Sequence, residues 1–255
     1  MRVFKIISTV ICISLLFTTT ASAESCSWYI VKKGTCTPGF PEDAELMSQY
    51  GAVYIDKSAA ECGEKKLYLT FDAGYENGNI EKILDVMREE NVTGAFFILS
   101  NIIVKNPDIV KRMADEGHLV CNHTMHHRDM SKITDQDDFA GELRALEELY
   151  REMIGGEMPK YYRPPEGRFS EANLAAAQAL GYKTVFWSFA YADWDNAKQP
   201  GAEYAIKKIL DNTHNGAIIL LHPTSATNAA ILSDLIKEWR AMGYRFGTLD
   251  ELAAE

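Results

Sequence analysis

From Lys66 onward, short apolar runs alternate with longer helical stretches, and this alternation limits the fold more than any other feature. The runs are "KLYLTF", "GAFFIL", "HLVCN", "YYRP", "TVFWSF", "AIILLH" and "YRFGTL", rich in β-branched and aromatic residues. Between them lie "NIEKILDVMREEN", "NPDIVKRMADEG", "DDFAGELRALEELYREMIG", "SEANLAAAQALG", "AEYAIKKILDN" and "NAAILSDLIKEWRAMG". Several open on Asn, Ser or Asp, whose side chains cap a first turn, and stop at Gly. In the last, Leu232, Leu235, Ile236 and Trp239 share one face, an ordinary core stripe. Seven strands separated by helices imply a parallel α/β architecture. The strands are almost continuously apolar, so the sheet is covered on both faces or closed into a barrel. In such folds chemistry gathers at the C-terminal ends of the strands.

The polar residues at those ends form a set. The first strand delivers Asp72 into "FDAGYENG"; the third ends in "NHTMHH", with His123 and His127; the fourth ends in "RPPEG", with Arg163. The fifth leads to Asp193 and Trp194 in "FAYADW", and the sixth ends at His222. A spacing of four lets His123 and His127 face one way on a helical turn and share a metal, while His126 points elsewhere. An imidazole emerging from a buried strand can donate a proton to a leaving group, and a carboxylate such as Asp193 would orient it and raise its pKa. Arg163 beside Asp72 would favour the ionised carboxylate. On these residues alone, a core histidine at 222 and a structural Arg163–Asp72 ion pair stay open. His118 and His214 fall at strand starts or in loops and receive no role. No phosphate loop, nucleophile elbow or dinucleotide fingerprint occurs.

The rest of the chain bounds where this chemistry takes place. "MRVFKIISTVICISLLF" followed by "ASA" reads as a secretory signal peptide over residues 1–23, cleaved after Ala23. No other apolar run is long enough to span a bilayer, so an exported, extracytoplasmic or cell-wall protein without a transmembrane anchor is expected. Loss of Arg2 and Lys5 takes the formal charge from -10 to -12, which disfavours nucleic acid and anionic membrane as partners. Cys26, Cys36, Cys62 and Cys121 remain, and their pairing is open; a bridge pinning the irregular N-terminal arm, residues 24–65, is one expectation, with Cys121 a buried thiol. The arm also carries Trp28, Tyr29 and Tyr54, which either pack on the barrel or stack on sugar.

"TFDAG", "HTMHH", "RPPEG", "DW" and "LLH", in this order on successive strand ends, resemble the five motifs of the polysaccharide deacetylases, the NodB-homology domain of carbohydrate esterase family 4. The resemblance covers residues 66–252, and the longer matches "DEGHLVCNHTMHH", "GYKTVFWS" and "LLHPTSATNA" look nearest to the spore-cortex branch, de-N-acetylases acting on N-acetylmuramic acid for muramic δ-lactam formation. It implies an irregular (β/α)7 barrel and metal-assisted hydrolysis of an N-acetyl group, releasing acetate. It implies Asp72 as general base, Arg163 as the residue that holds it, His222 as general acid and Asp193 as the carboxylate tuning that acid. It implies His123 and His127 as ligands of a divalent metal, with zinc the expected ion, and Glu166 (through its main-chain N–H) and Trp187 beside the substrate. The implied partner is peptidoglycan or another acetylated glycan, met after an amidase has acted.

Three positions depart from the family pattern. Ala73 stands where a third metal ligand, normally Asp, belongs, so a loosely held metal is expected. Ala190 replaces a further Asp. Glu166 replaces Tyr or, in the spore branch, a basic residue, and its carboxylate would repel the lactyl group of muramic acid. Chitin or xylan as substrate, and a non-catalytic glycan-binding relative, are the alternative readings.

Overall fold

The computed structural model describes residues 24–254, so the signal-peptide expectation lies outside the described residues. The N-terminal arm contributes β1 (Cys26–Ser27), β2 (Val31–Lys33), β3 (Cys36–Gly39), α1 (Ala44–Gln49) and α2 (Lys57–Cys62). There follow β4 (Lys66–Ala73), α3 (Ile80–Glu89), β5 (Ala95–Ile98), α4 (Ser100–Lys105), α5 (Pro107–Asp115), β6 (Leu119–Asn122), α6 (Gln136–Met153) and β7 (Tyr161–Tyr162). The chain continues through β8 (Arg168–Phe169), α7 (Glu171–Ala179), β9 (Lys183–Thr184), α8 (Ala202–Leu210), β10 (Ala217–Leu221), α9 (Ala226–Ala241), β11 (Arg245–Phe246) and α10 (Leu249–Ala254).

Strands β10, β4, β5, β6, β7 and β9 form one curled parallel sheet in that order, with β11 added beside the start of β4. The seam between β9 and β10 is closed without a regular ladder. Val53 of the arm bridges to Val185, Ile55 bridges to Ala217, and Phe189 bridges to Ile219. Main-chain bonds from Val53 N to Thr184 O and from Phe186 N to Val53 O, both 2.8 Å, make the arm a strip of barrel wall. This is why only Thr184 of "TVFWSF" lies in the two-residue β9: its later residues pair with the arm and with β10 one bridge at a time. The parallel α/β barrel expected from the alternation is the fold observed. The sequence reading omitted α4, a short helix immediately before Pro107, the N1 residue of α5.

Side-chain alternation divides the strands between two layers. Leu67, Leu69, Phe71 and Ala73 of β4 face outward into a core shared with α3 and α9, along with Phe96, Ile98, Ile219 and Leu221. Tyr68, Ala95, Phe97, Cys121 and Ile218 face inward and fill the barrel. The same parity carries Asp72, His123 and His222 to the inner face at the C-terminal rim. Position, rather than sequence proximity, therefore assembles the site.

All four cysteines among the described residues are free thiols, so the expected bridge in the arm is absent; Cys36 and Cys62 are exposed and Cys121 is buried. The arm is held by packing instead. Trp28 and Tyr54 are buried in a cluster with Phe40, Phe169 and Phe186, whereas Tyr29 is exposed.

Candidate active site

The rim encloses a cleft of about 650 Å³ whose lining includes Asp72, His123, His127, Glu166, Trp187 and His222. Asp72 leaves the inner face of β4 and meets Arg163, whose Nη1 donates to its Oδ1 at 2.8 Å. Arg163 is fully buried, and three further hydrogen bonds hold its guanidinium. Nε donates to Val185 O (3.0 Å), and Nη2 donates to Thr70 Oγ1 (2.8 Å) and Phe186 O (3.2 Å). The guanidinium also lies 4.1 Å from the Phe97 ring centroid, a cation–π contact in a dry setting. Burial alone would raise the Asp72 pKa, but the charge and hydrogen bond of Arg163, together with His123 and His222, outweigh it and hold the carboxyl below its ordinary value. Asp72 is thus an ionised, oriented carboxylate at neutral pH.

Across the cleft, Asp193 is buried and accepts three bonds. His222 Nδ1 donates to Oδ1 at 2.7 Å; His222 N and Asn228 Nδ2 donate to Oδ2 at 2.8 and 2.6 Å. A carboxylate can only accept here, so Nδ1 of His222 carries a proton and Nε2 is the atom left for the cleft. Burial works to lower the His222 pKa; the hydrogen bond and charge of Asp193 outweigh it, and the pKa rises above its ordinary value. Asn228, on the first turn of α9, is locked in turn by Tyr191, whose hydroxyl donates to Asn228 Oδ1.

The two histidines of "HTMHH" occupy the third side. His123 Nδ1 lies 2.8 Å from the Arg163 carbonyl, which can only accept, so that nitrogen is protonated and Nε2 bears the lone pair. Nε2 sits 3.7 Å from Asp72 Oδ2, and the His127 ring centroid is 5.1 Å from that of His123. Burial pushes the His123 pKa down to about 4, so the ring is neutral, the form that binds a metal. Arg163 thus serves twice, its side chain on Asp72 and its carbonyl on His123.

A divalent cation fits this donor set. The two imidazoles face one cleft, and the partner of His123 Nδ1 fixes the tautomer as ligating histidines need. The set is thin: no group of three or more His, Cys, Asp or Glu arranged to hold a metal occurs among the described residues. Ala73 is fully buried in the outer layer and does not line the cleft.

The fourth side is the "RPPEG" turn. Glu166 adopts a left-handed φ of 56° and its carboxylate turns to Arg168, whose Nε is 3.0 Å away. The expected repulsion of a substrate carboxylate by Glu166 is therefore offset by a cation in contact with it. Gly167 has φ 66°, and a Cβ there would meet Trp187 Cη2 at 2.8 Å, so only glycine allows Trp187 to pack at the wall. The arm fixes both: Trp28 N donates to Gly167 O and Trp28 Nε1 donates to Trp187 O, each at 2.8 Å.

All eight residues singled out from the sequence thus converge, seven lining the cleft or touching those that do from the inner face and Glu166 from the turn. His126, expected to point elsewhere than its two neighbouring histidines, turns to Glu142 and pairs with it. His118 and His214 are buried at strand starts away from the cleft. Sequence reasoning missed Asn228, Tyr191 and Leu220; for Trp28 it foresaw packing on the barrel as one of two readings, but not its bond to Trp187. Leu220 was within reach, since it shares the parity of His222; Asn228 looked like an ordinary helix-start residue in "SATNA".

The polysaccharide deacetylase family model matches residues 59–185. The chain is 41% identical over 210 residues to the peptidoglycan-N-acetylmuramic acid deacetylase PdaA of Bacillus subtilis, covering 82% of this chain and 78% of that protein. It is 32% identical over 191 residues to the peptidoglycan-N-acetylglucosamine deacetylase PgdA of Listeria monocytogenes, covering 75% of this chain and 39% of that one. The structure of Bacillus subtilis PdaA, a family 4 carbohydrate esterase, superposes with a TM-score of 0.85 at 38% identity, covering 91% of this chain and 97% of that chain. A family 4 carbohydrate esterase from Bacillus anthracis follows at 0.75 and 34%, covering 92% and 99%. With the motif residues gathered in one cleft and these relatives on either measure, the chain belongs to the polysaccharide deacetylases of carbohydrate esterase family 4.

Proposed function

We propose that the protein hydrolyses the N-acetyl group of peptidoglycan sugars, N-acetylmuramic acid in preference to N-acetylglucosamine, and releases acetate. The observation that carries this reading is the pairing of an arginine-held carboxylate, Asp72, with a carboxylate-held imidazole, His222, across one cleft. One is an acceptor kept ionised and the other a donor kept protonated, the pair that amide hydrolysis needs. Water attacks the acetyl carbon as Asp72 accepts its proton. The C–N bond then breaks as His222 Nε2 gives a proton to the departing sugar nitrogen. The Glu166 main-chain N–H is the donor assigned to the developing oxyanion, and Trp187 walls the cleft beside it. His123 and His127 would hold a divalent cation, zinc on the donor types, whose chemistry when bound is Lewis-acid polarisation of the acetyl carbonyl.

Muramic acid is favoured by the greater identity to the muramic acid deacetylase and by the Glu166–Arg168 pair, which leaves the wall without a bare negative charge. Export, a place in spore-cortex synthesis after an amidase has removed the peptide, and δ-lactam formation from the freed amine complete the proposal. Mass spectrometry of muramidase-digested peptidoglycan after treatment tests it. Wild type should remove one acetyl from muramic acid and Asp72→Asn should not; acetyl loss from glucosamine alone would reassign the substrate, and loss from neither would end the hydrolase reading.

A further inference from the structure

The segment that joins the two histidines is strained. Thr124 has φ 76° and His127 has φ 55°, both in the left-handed region, where a β-branched residue such as Thr is a rare outlier. Such residues are costly and persist where their surroundings over-determine them. Here every main-chain N–H from His123 to His127 has an acceptor. His123 N donates to Ile98 O, Thr124 N to Asn122 Oδ1, and His127 N to Thr124 Oγ1. The two N–H groups between them both go to one residue of α6: Met125 N donates to Glu142 O (3.1 Å) and His126 N donates to Glu142 Oε2 (3.0 Å).

Glu142 stands on the buried face of α6, between Phe139 and Leu146, with its side chain only 5% exposed. A carboxylate there is costly unless its partners are in place. All its hydrogen bonds come from the loop: His126 N, His126 Nδ1 at 2.9 Å to Oε1, and Arg128 Nη1 at 3.4 Å to Oε1. The loop lies beside α6 at its other end too, where Asn122 Nδ2 donates to Leu143 O at 2.9 Å.

We infer that Glu142 is a positioning residue for the metal: it holds the 123–127 loop in its strained form and so presents His127 to the ion that His123 binds. The inference rests on the reading of His123 and His127 as ligands. With two protein donors in place of three, metal affinity depends on the loop being formed before the ion arrives, and Glu142 supplies that preorganisation from outside the ligand set.

Calorimetric titration of the chelator-stripped protein with zinc chloride tests this, alongside melting temperatures for wild type, Glu142→Gln, Glu142→Ala and His127→Ala. His127→Ala should lose specific zinc binding. Glu142→Ala should weaken zinc binding about 10–100-fold, as loss of outer-sphere partners does, and Glu142→Gln, which keeps one acceptor for His126 N, should fall between it and wild type. A lowered melting temperature with the wild-type Kd in both Glu142 variants marks a merely structural role and overturns the inference. Should Glu142→Ala not fold, Glu142→Gln decides by the same criterion. Zinc binding unchanged in His127→Ala would instead overturn the ligand assignment itself.

Discussion

Asp193→Asn removes one charge with almost no change of shape, at the group that makes His222 an acid. Asp193 now accepts a bond from His222 Nδ1 at 2.7 Å and two more at its other oxygen, from His222 N and Asn228 Nδ2. An amide has one oxygen and cannot serve both sides. If that oxygen stays with His222 N and Asn228 Nδ2, the NH2 group faces Nδ1 and imposes the wrong tautomer. If it turns, two buried donors lose their acceptor, at about 1–3 kcal/mol each. Either way the imidazolium loses a charge-assisted bond of about 1.5–3 kcal/mol, so its pKa falls. Burial, which already works to lower that pKa, is then opposed only by the more distant Asp72. The alkaline limb of kcat reports the acid, so it should move to lower pH. Activity at its plateau should drop about 10²–10⁴-fold, the usual contribution of a positioned acid. Acetate release from muropeptides across a pH series, with the His222 ring followed by NMR, reads both effects. An Asp193→Asn enzyme with the wild-type alkaline limb and more than a tenth of the activity would refute the assignment of His222 as the acid.

Arg163→Lys should destabilise the fold by about 1–3 kcal/mol for each buried acceptor it leaves unpaired. The same change weakens the hold on Asp72, so its pKa rises and the acid limb of kcat shifts to higher pH; an unmoved limb would separate Arg163 from the base. Prolonged dialysis against a chelator should abolish activity, and added zinc should restore it; full activity in metal-free protein, or stoichiometric metal retained throughout, would contradict a two-histidine site. Ala73→Asp places a carboxylate in the outer apolar layer, where an unpaired buried charge costs about 3–5 kcal/mol. Its melting temperature should fall by roughly 10 °C at about 2–4 °C per kcal/mol for a chain of this size, whereas tighter zinc binding with no loss of stability would show that the residue turns inward.

Much of this was legible because strand chemistry is local. The period-2 alternation in "KLYLTFDA" already separates Asp72 from Ala73, and the apolar run "AIILL" already aims His222 at the rim. What was not legible is contact across long separations between residues of unremarkable context. Asn228 holds Asp193 from 35 positions away, and Trp28 reaches Trp187 across 159. Neither has a local signal, since an Asn near a helix start and a Trp in an irregular arm have commoner explanations. The arm illustrates the limit further. Its four-residue stretch "VYID" reads as nothing in particular, yet Val53 and Ile55 close the barrel seam and Asp56 caps α2 through Ala59 N. The cysteines misled in the opposite direction: an even count in an exported chain permits bridges, and the arm is fixed by aromatic packing instead.

Ala73 can now be placed in physical terms. Neighbours on a strand point to opposite faces, so a strand that sends Asp72 into the cleft sends residue 73 outward for as long as its pleat continues. Here it does continue. Ala73 is still in register with Ile98, and its carbonyl accepts Leu99 N at 3.3 Å. A buried methyl lets the ladder run one residue beyond the base and anchors Asp72 on regular strand rather than on a loop, at the cost of a ligand. On the proposed ligand assignment an ion would be left to two imidazoles, His123 just past β6 and His127 in a strained turn. Rigidity has to enter from elsewhere, and the two elements that deliver it are Arg163, through its carbonyl on His123, and α6, through Glu142 on the turn before His127. The departure at position 73 and the grip of α6 on the loop are, on this argument, two halves of one arrangement.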